Sequence, residues 1–169
     1  MTSKRLLGKY DHKKGEWLKS AKYFVAVFIV LFLVFRFLIG ISYVSGNSMY
    51  PTLENGEAVV YNRLAKNYEK GDIVSIRMPS GNYYIKRIAA VEGDTVDIID
   101  DVLYINGEAD ETYGTTPKQT GVVYPLTIGE GMVFALGDNR PDSVDSRTFG
   151  ELAETQIRGK ILFHFSLPF

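Results

Sequence analysis

The sequence predicts a mainly β protein on a single N-terminal transmembrane helix, the β part being a coiled antiparallel sheet or partly open barrel. Two observations lead there. An apolar run of nineteen residues, Tyr23 to Ile41, is broken only by Arg36. Beyond Ser42, β-branched and aromatic runs recur at short intervals between Gly, Asn, Asp and Pro.

The elements follow in chain order. Residues 1–22 carry seven Lys/Arg (Lys4, Arg5, Lys9, Lys13, Lys14, Lys19, Lys22) against two Asp/Glu, and read as a basic cytoplasmic tail. Residues 23–41 come next; at ~1.5 Å per residue they reach ~28 Å, close to a hydrocarbon core of ~30 Å. Arg36 lies near the outer end, where its head can snorkel to the interface. A cleaved signal peptide is the alternative, since only thirteen residues precede Arg36 in the run, but no clear Ala-x-Ala site follows. The positive-inside rule then places residues 42–169 outside the cell membrane as one domain. That domain carries eleven Lys/Arg against eighteen Asp/Glu, so nucleic acid is excluded as its partner.

Strands are expected over Ala58 to Tyr61, Asp72 to Met78, Tyr83 to Val91, Thr95 to Ile99, Val102 to Ile105, Met132 to Leu136 and Lys160 to Phe165. Asp100-Asp101 reads as a hairpin turn. Glu108 to Glu130 reads as an exposed loop with a short strand near Val122 to Tyr124. Only Glu151 to Ile157 looks helical.

The chemistry is narrowed by what the chain lacks. It has no cysteine, and its two histidines, His12 and His164, are both far in sequence from the Ser45 to Leu53 segment. A cysteine nucleophile and a disulfide framework are excluded, and no metal or cofactor is expected. Ser48 stands in Ser45-Gly46-Asn47-Ser48-Met49-Tyr50-Pro51-Thr52-Leu53, seven residues past the apolar run, and Lys86 follows on the strand Tyr83 to Val91. A serine hydroxyl needs a base, and lysine serves only when neutral. Strand alternation sets Lys86 on one face with Tyr84, Ile88 and Ala90, and Arg87 on the other with Ile85 and Ala89. Apolar neighbours of that kind lower an amine pKa by desolvation.

Four segments together resemble the bacterial type I signal peptidases, in the short single-span form found in Gram-positive bacteria. They are SGNSMYPTL from Ser45, Gly71-Asp72-Ile73-Val74, YYIKRIAAVEGD from Tyr83, and GDNRPDSVDSRTFG from Gly137. The last fills every fixed position of the family pattern with Gly137, Asp138, Asn139, Ser143, Asp145, Ser146 and Arg147.

The resemblance implies a membrane-bound serine endopeptidase that removes signal peptides after small residues, Ala-x-Ala, with Ser48 as nucleophile and Lys86 as general base. Ser143 is expected to hydrogen-bond and orient the lysine, Asp145 and Arg147 to form a structural ion pair, and Asp138 to support the same loop. Val44, Met49, Leu53, Tyr84 and Ile85 are expected to line the pocket for the last substrate side chain, beside which the substrate adds as a strand. The oxyanion hole is expected to use the Ser48 N–H; Gly46 stands where Gram-negative members place a serine, so the second donor stays open. The implied partners are signal-peptide-bearing preproteins and the lipid bilayer. The alternative is a non-catalytic, membrane-anchored module of the same fold, dedicated to a surface-assembly partner.

Overall fold

The structure, a computed structural model, describes the backbone of residues 3–166 and the side chains of residues 17–166. The side chains of Lys4 to Lys14 and of His12 lie outside the described residues. The chain divides into two units, Met1–Leu38 and Ile39–Phe169.

The first unit is α1 (Ser3–Leu38), within which Trp17–Leu38 is long and apolar enough to cross a bilayer, with none of that window buried in protein. The expected span ran to Ile41, but the helix stops at Leu38 and Ile39–Tyr43 become β1. The reason is local. β-branched Ile39 and Ile41 favour extended backbone, and Gly40 lets the Tyr61 ring of the neighbouring strand lie where any side chain would collide.

Among the described residues the second unit is built from eleven strands: β1, β2 (Ala58–Asn62), β3 (Ile73–Arg77), β4 (Tyr83–Val91), β5 (Thr95–Ile99), β6 (Val102–Ile105), β7 (Glu108–Asp110), β8 (Leu126–Thr127), β9 (Met132–Leu136), β10 (Leu152–Ala153) and β11 (Ile157–Phe165). Seven form an antiparallel sheet in the order β1-β2-β11-β3-β4-β9-β10, and four form a smaller sheet, β7-β6-β5-β8. The mainly β class with one N-terminal helix is thus the observed one. Asp100 and Asp101, at φ 50° and 60°, make the tight β5–β6 turn, a left-handed pair that Asp tolerates.

Two expectations fail. Glu151 to Ile157 is not a helix but β10, a 3-10 turn over Glu154–Gln156 and the first residue of β11. The pairing of Leu152 and Ala153 with Val133 and Met132 overrides their helical preference. Val122 to Tyr124 is not a strand; within the supposed loop the strands are β7 and β8.

Three apolar clusters position the site. One joins the small sheet to Ala89, Ala90, Phe134 and Leu136; a second gathers Val74, Ile76, Ile88, Val133, Ala135, Leu152 and Ile157; a third packs Val44, Met49, Leu53 and Val59 beneath the Ser48 turn. β4 crosses them, and its register against β9 shifts between Ile88 and Ala90. This bulge puts Ala89 and Ala90 in one cluster and Ile88 in another, so Ala90 does not share the Lys86 face as strict alternation predicts.

Candidate active site

Ser48 sits in the turn that follows β1. Gly46, at φ 89°, donates its N–H to Asn55 Oδ1 (2.9 Å), a conformation that favours glycine. Tyr50 N–H closes on Asn47 O (3.0 Å) and Leu53 N–H on Met49 O (2.9 Å). Met49 and Leu53, both essentially fully buried, fix the turn to the core and leave Ser48 between them and the surface.

Lys86 lies on β4, where it faces Val74 of β3 and stands one residue before the pairing with β9 begins. Only 3% of it is exposed. Its Nζ is 2.7 Å from Ser48 Oγ and 5.7 Å from the Tyr84 ring centroid. Burial lowers its pKa to about 8 against the opposing pull of the Asp145 carboxylate, so roughly a fifth of the amine is neutral near pH 7.4, against about a thousandth for a free lysine.

The 137–147 segment closes the other side. Asp145 and Arg147 are both fully buried and pair bidentately, Nε to Oδ1 at 2.8 Å and Nη2 to Oδ2 at 2.9 Å. Asp145 also accepts from Gly137 N–H (3.0 Å) and caps α2 (Ser146–Phe149) by accepting from Arg147 N–H. Arg147 donates further to the carbonyls of Arg140 (2.7 Å), Ser143 (3.3 Å) and Pro117 (3.1 Å). A buried charge pair so fully hydrogen-bonded fixes geometry more than it adds stability.

One expected contact differs. Ser143 Oγ is buried without a hydrogen-bond partner among the described residues, so the expected bond to the lysine is not made; it packs instead against Gly137, where a Cβ would overlap both Ser143 Oγ and the Ser48 carbonyl. Asp138 reaches a partner outside its own segment: its carboxylate takes both Nε (2.9 Å) and Nη2 (2.8 Å) of Arg87, tying the segment to β4 beside the lysine. The pairing crosses 51 residues of sequence, so no local pattern announces it.

Asn139 has a role that its place in the motif does not announce. Its backbone N–H donates to Ser48 O (3.0 Å) and its Nδ2 to Asn47 O (3.1 Å), clamping the serine turn from the far segment. The signal was its place in GDN next to Asp138, but only folding reveals the target.

Beside the Ser48–Lys86 pair is a cleft of about 90 Å³ lined by Ser42, Tyr43, Val44, Ser45, Met49, Tyr83, Tyr84 and Ile85. Val44, Met49, Tyr84 and Ile85 therefore border it as expected positions. Leu53 does not; it is fully buried in the cluster below. Two strand edges flank the cleft: β1 pairs only with β2, and β4 pairs with β9 only from Arg87 onward, leaving Tyr83 to Lys86 open on that side. Among the described residues no group of His, Asp and Glu could hold a metal ion.

The chain is similar to known signal peptidases over most of its length. The family described as signal peptidase, peptidase S26, matches residues 16–166. Signal peptidase IB of Staphylococcus aureus (strain Mu50) is 36% identical over 171 residues, covering 89% of this chain and 88% of its own. Signal peptidase I S of Bacillus subtilis (strain 168) is 36% identical over 168 residues, covering 90% and 91%. A solved signal peptidase I from Enterococcus faecalis V583 is 34% identical and covers 58% of this chain and 98% of its own, with a TM-score of 0.46. With nearly its whole length matched, the chain belongs to the signal peptidase family, peptidase S26.

Proposed function

We propose that the chain removes signal peptides from exported preproteins as a serine endopeptidase, with Ser48 as nucleophile and Lys86 as its base. The observation that carries this is the 2.7 Å approach of the amine of Lys86, a residue only 3% exposed, to a serine oxygen, together with the depressed amine pKa. Neutral Lys86 takes the Ser48 proton as Oγ attacks the scissile carbonyl, and the ammonium so formed protonates the leaving amine. Water then enters and gives a proton to Lys86 as its oxygen attacks the acyl carbonyl, and the ammonium returns that proton to Ser48 Oγ as the bond from Oγ to the acyl carbon breaks and the carboxylic acid product leaves. The Ser48 N–H, which donates to no described group, is the first oxyanion donor. Asp145 and Arg147 hold the segment that borders the dyad, and Arg87–Asp138 fixes it to β4.

The substrate enters extended between β1 and the open edge of β4, its last side chain seated in the small cleft between Val44, Met49, Tyr84 and Ile85. A cleft of about 90 Å³ suits a methyl group, in keeping with small residues at the cut. α1 anchors the protein in the bilayer with the basic tail in the cytoplasm and residues 42–169 outside, where signal peptides present their cleavage sites.

The test is turnover of an Ala-x-Ala precursor. Ser48→Ala and Lys86→Ala each lower kcat/KM by ~10²–10⁴ or more, with the β domain still folded by circular dichroism. A Lys86→Ala enzyme retaining over about a tenth of the activity overturns the dyad.

A further inference from the structure

The face of β4 opposite Lys86 borders a separate cavity of about 350 Å³, whose walls include Lys70, Arg87, Ala89, Asp110, Tyr113 and Arg140. Its charges do not cancel. Lys70 pairs with Asp110 at 3.1 Å, and Arg87 is neutralised bidentately by Asp138. Arg140 is left over: only 2% exposed, it donates Nε to Gly137 O (3.0 Å) and Nη1 to Thr116 Oγ1 (2.9 Å), and no carboxylate among the described residues lies within ion-pair distance. Its Nη2 donates to no described group. Tyr113 offers partial compensation, its ring centroid 5.2 Å from the Arg140 guanidinium and 5.1 Å from that of Arg87. A ring quadrupole does not replace a counter-ion for a buried guanidinium.

We propose that this cavity is a second binding site, for a monocarboxylate with a short apolar tail, held by Arg140 and Lys70. The single uncompensated charge sets the ligand at one negative charge. A dianion would leave its second charge beside Asp110 and Asp138. The volume exceeds that of a bare ion, and Ala89 and the Tyr113 ring offer apolar wall for a tail. The guanidinium fork matches a carboxylate in plane and spacing. Neither the identity of the nucleophile nor that of its base enters this inference.

The experiment uses the full chain in an uncharged detergent, with melting followed by circular dichroism in sodium butyrate, acetate or phosphate against sodium chloride at equal ionic strength and pH 8. Butyrate raises Tm above chloride in a saturable way, acetate raises it less, and phosphate does not exceed chloride. Asp110→Asn, which removes a negative wall charge without changing its shape, tightens butyrate roughly three- to tenfold, and Arg140→Gln abolishes the effect. Should Arg140→Gln fail to fold, Lys70→Gln, at a half-exposed side chain, carries the test by weakening butyrate severalfold. Equal Tm in butyrate and chloride, phosphate stronger than butyrate, or Asp110→Asn without a gain would each overturn the site.

Discussion

At the scale of the residue, the decisive number is the Lys86 pKa of about 8, set first by burial on β4. The sign follows from the chemistry: only the neutral amine can accept the Ser48 proton, and a depressed pKa brings that form into the working range. We expect kcat/KM to rise with pH, pass half its maximum near 8 and level off above, in a profile taken on a soluble Ala-x-Ala peptide. A rate still rising tenfold per pH unit near the ordinary lysine value of ~10.4 would show that the amine is solvated in the working enzyme. Much of this residue was legible beforehand, because alternation along Tyr83 to Val91 set Lys86 on an apolar face. The partner of Asp138 was not. An ion pair that joins Arg87 to a position 51 residues away is fixed by sheet packing, which leaves no periodic trace.

At the scale of the element, the serine turn and β4 separate two residues expected to line one pocket. Leu53 is wholly enclosed by Val44, Met49 and Val59, whereas Ile85 borders the cleft and stays partly exposed. Their truncations should diverge. Leu53→Ala leaves a core cavity and costs about 2–5 kcal/mol in denaturant unfolding. Ile85→Ala widens the cleft and restores cleavage of a substrate ending in Leu, which the wild-type enzyme rejects by roughly tenfold to a hundredfold because overpacking costs ~1–3 kcal/mol. Loss of stability in the Ile85 variant with unchanged selectivity would remove that side chain from the pocket. The strands were readable from β-branched runs and Gly/Asp punctuation. Glu151 to Ile157 departs from its helical spacing because that spacing is too short to outweigh the pairing of Leu152 and Ala153 with β9.

At the scale of the whole molecule, the three apolar clusters and both sheets lie within Ile39–Phe169. Residues 39–169 made alone should fold and cleave a soluble peptide. They should cleave a membrane-inserted precursor in vesicles far less efficiently than the full chain, because tethering raises effective concentration by up to ~10²–10⁴. Equal efficiency on the vesicle substrate would show that the anchor does not deliver the enzyme to its substrate.

The sequence by itself determined the class of the fold and the apolar segment of α1, because each rests on local signals, hydrophobic run length and alternation, and it singled out Ser48 and Lys86 only through the resemblance carried by several motifs read in order. Only the tertiary structure decided where α1 gives way to β1, which face Ala90 takes past the bulge, that Leu53 is core rather than pocket, and that Asn139 and Asp138 reach Ser48 and Arg87. Those outcomes depend on which strands become neighbours. Neighbours distant in sequence are chosen by burial of apolar surface and by satisfaction of buried polar groups across the whole domain, and no window of the chain contains both partners.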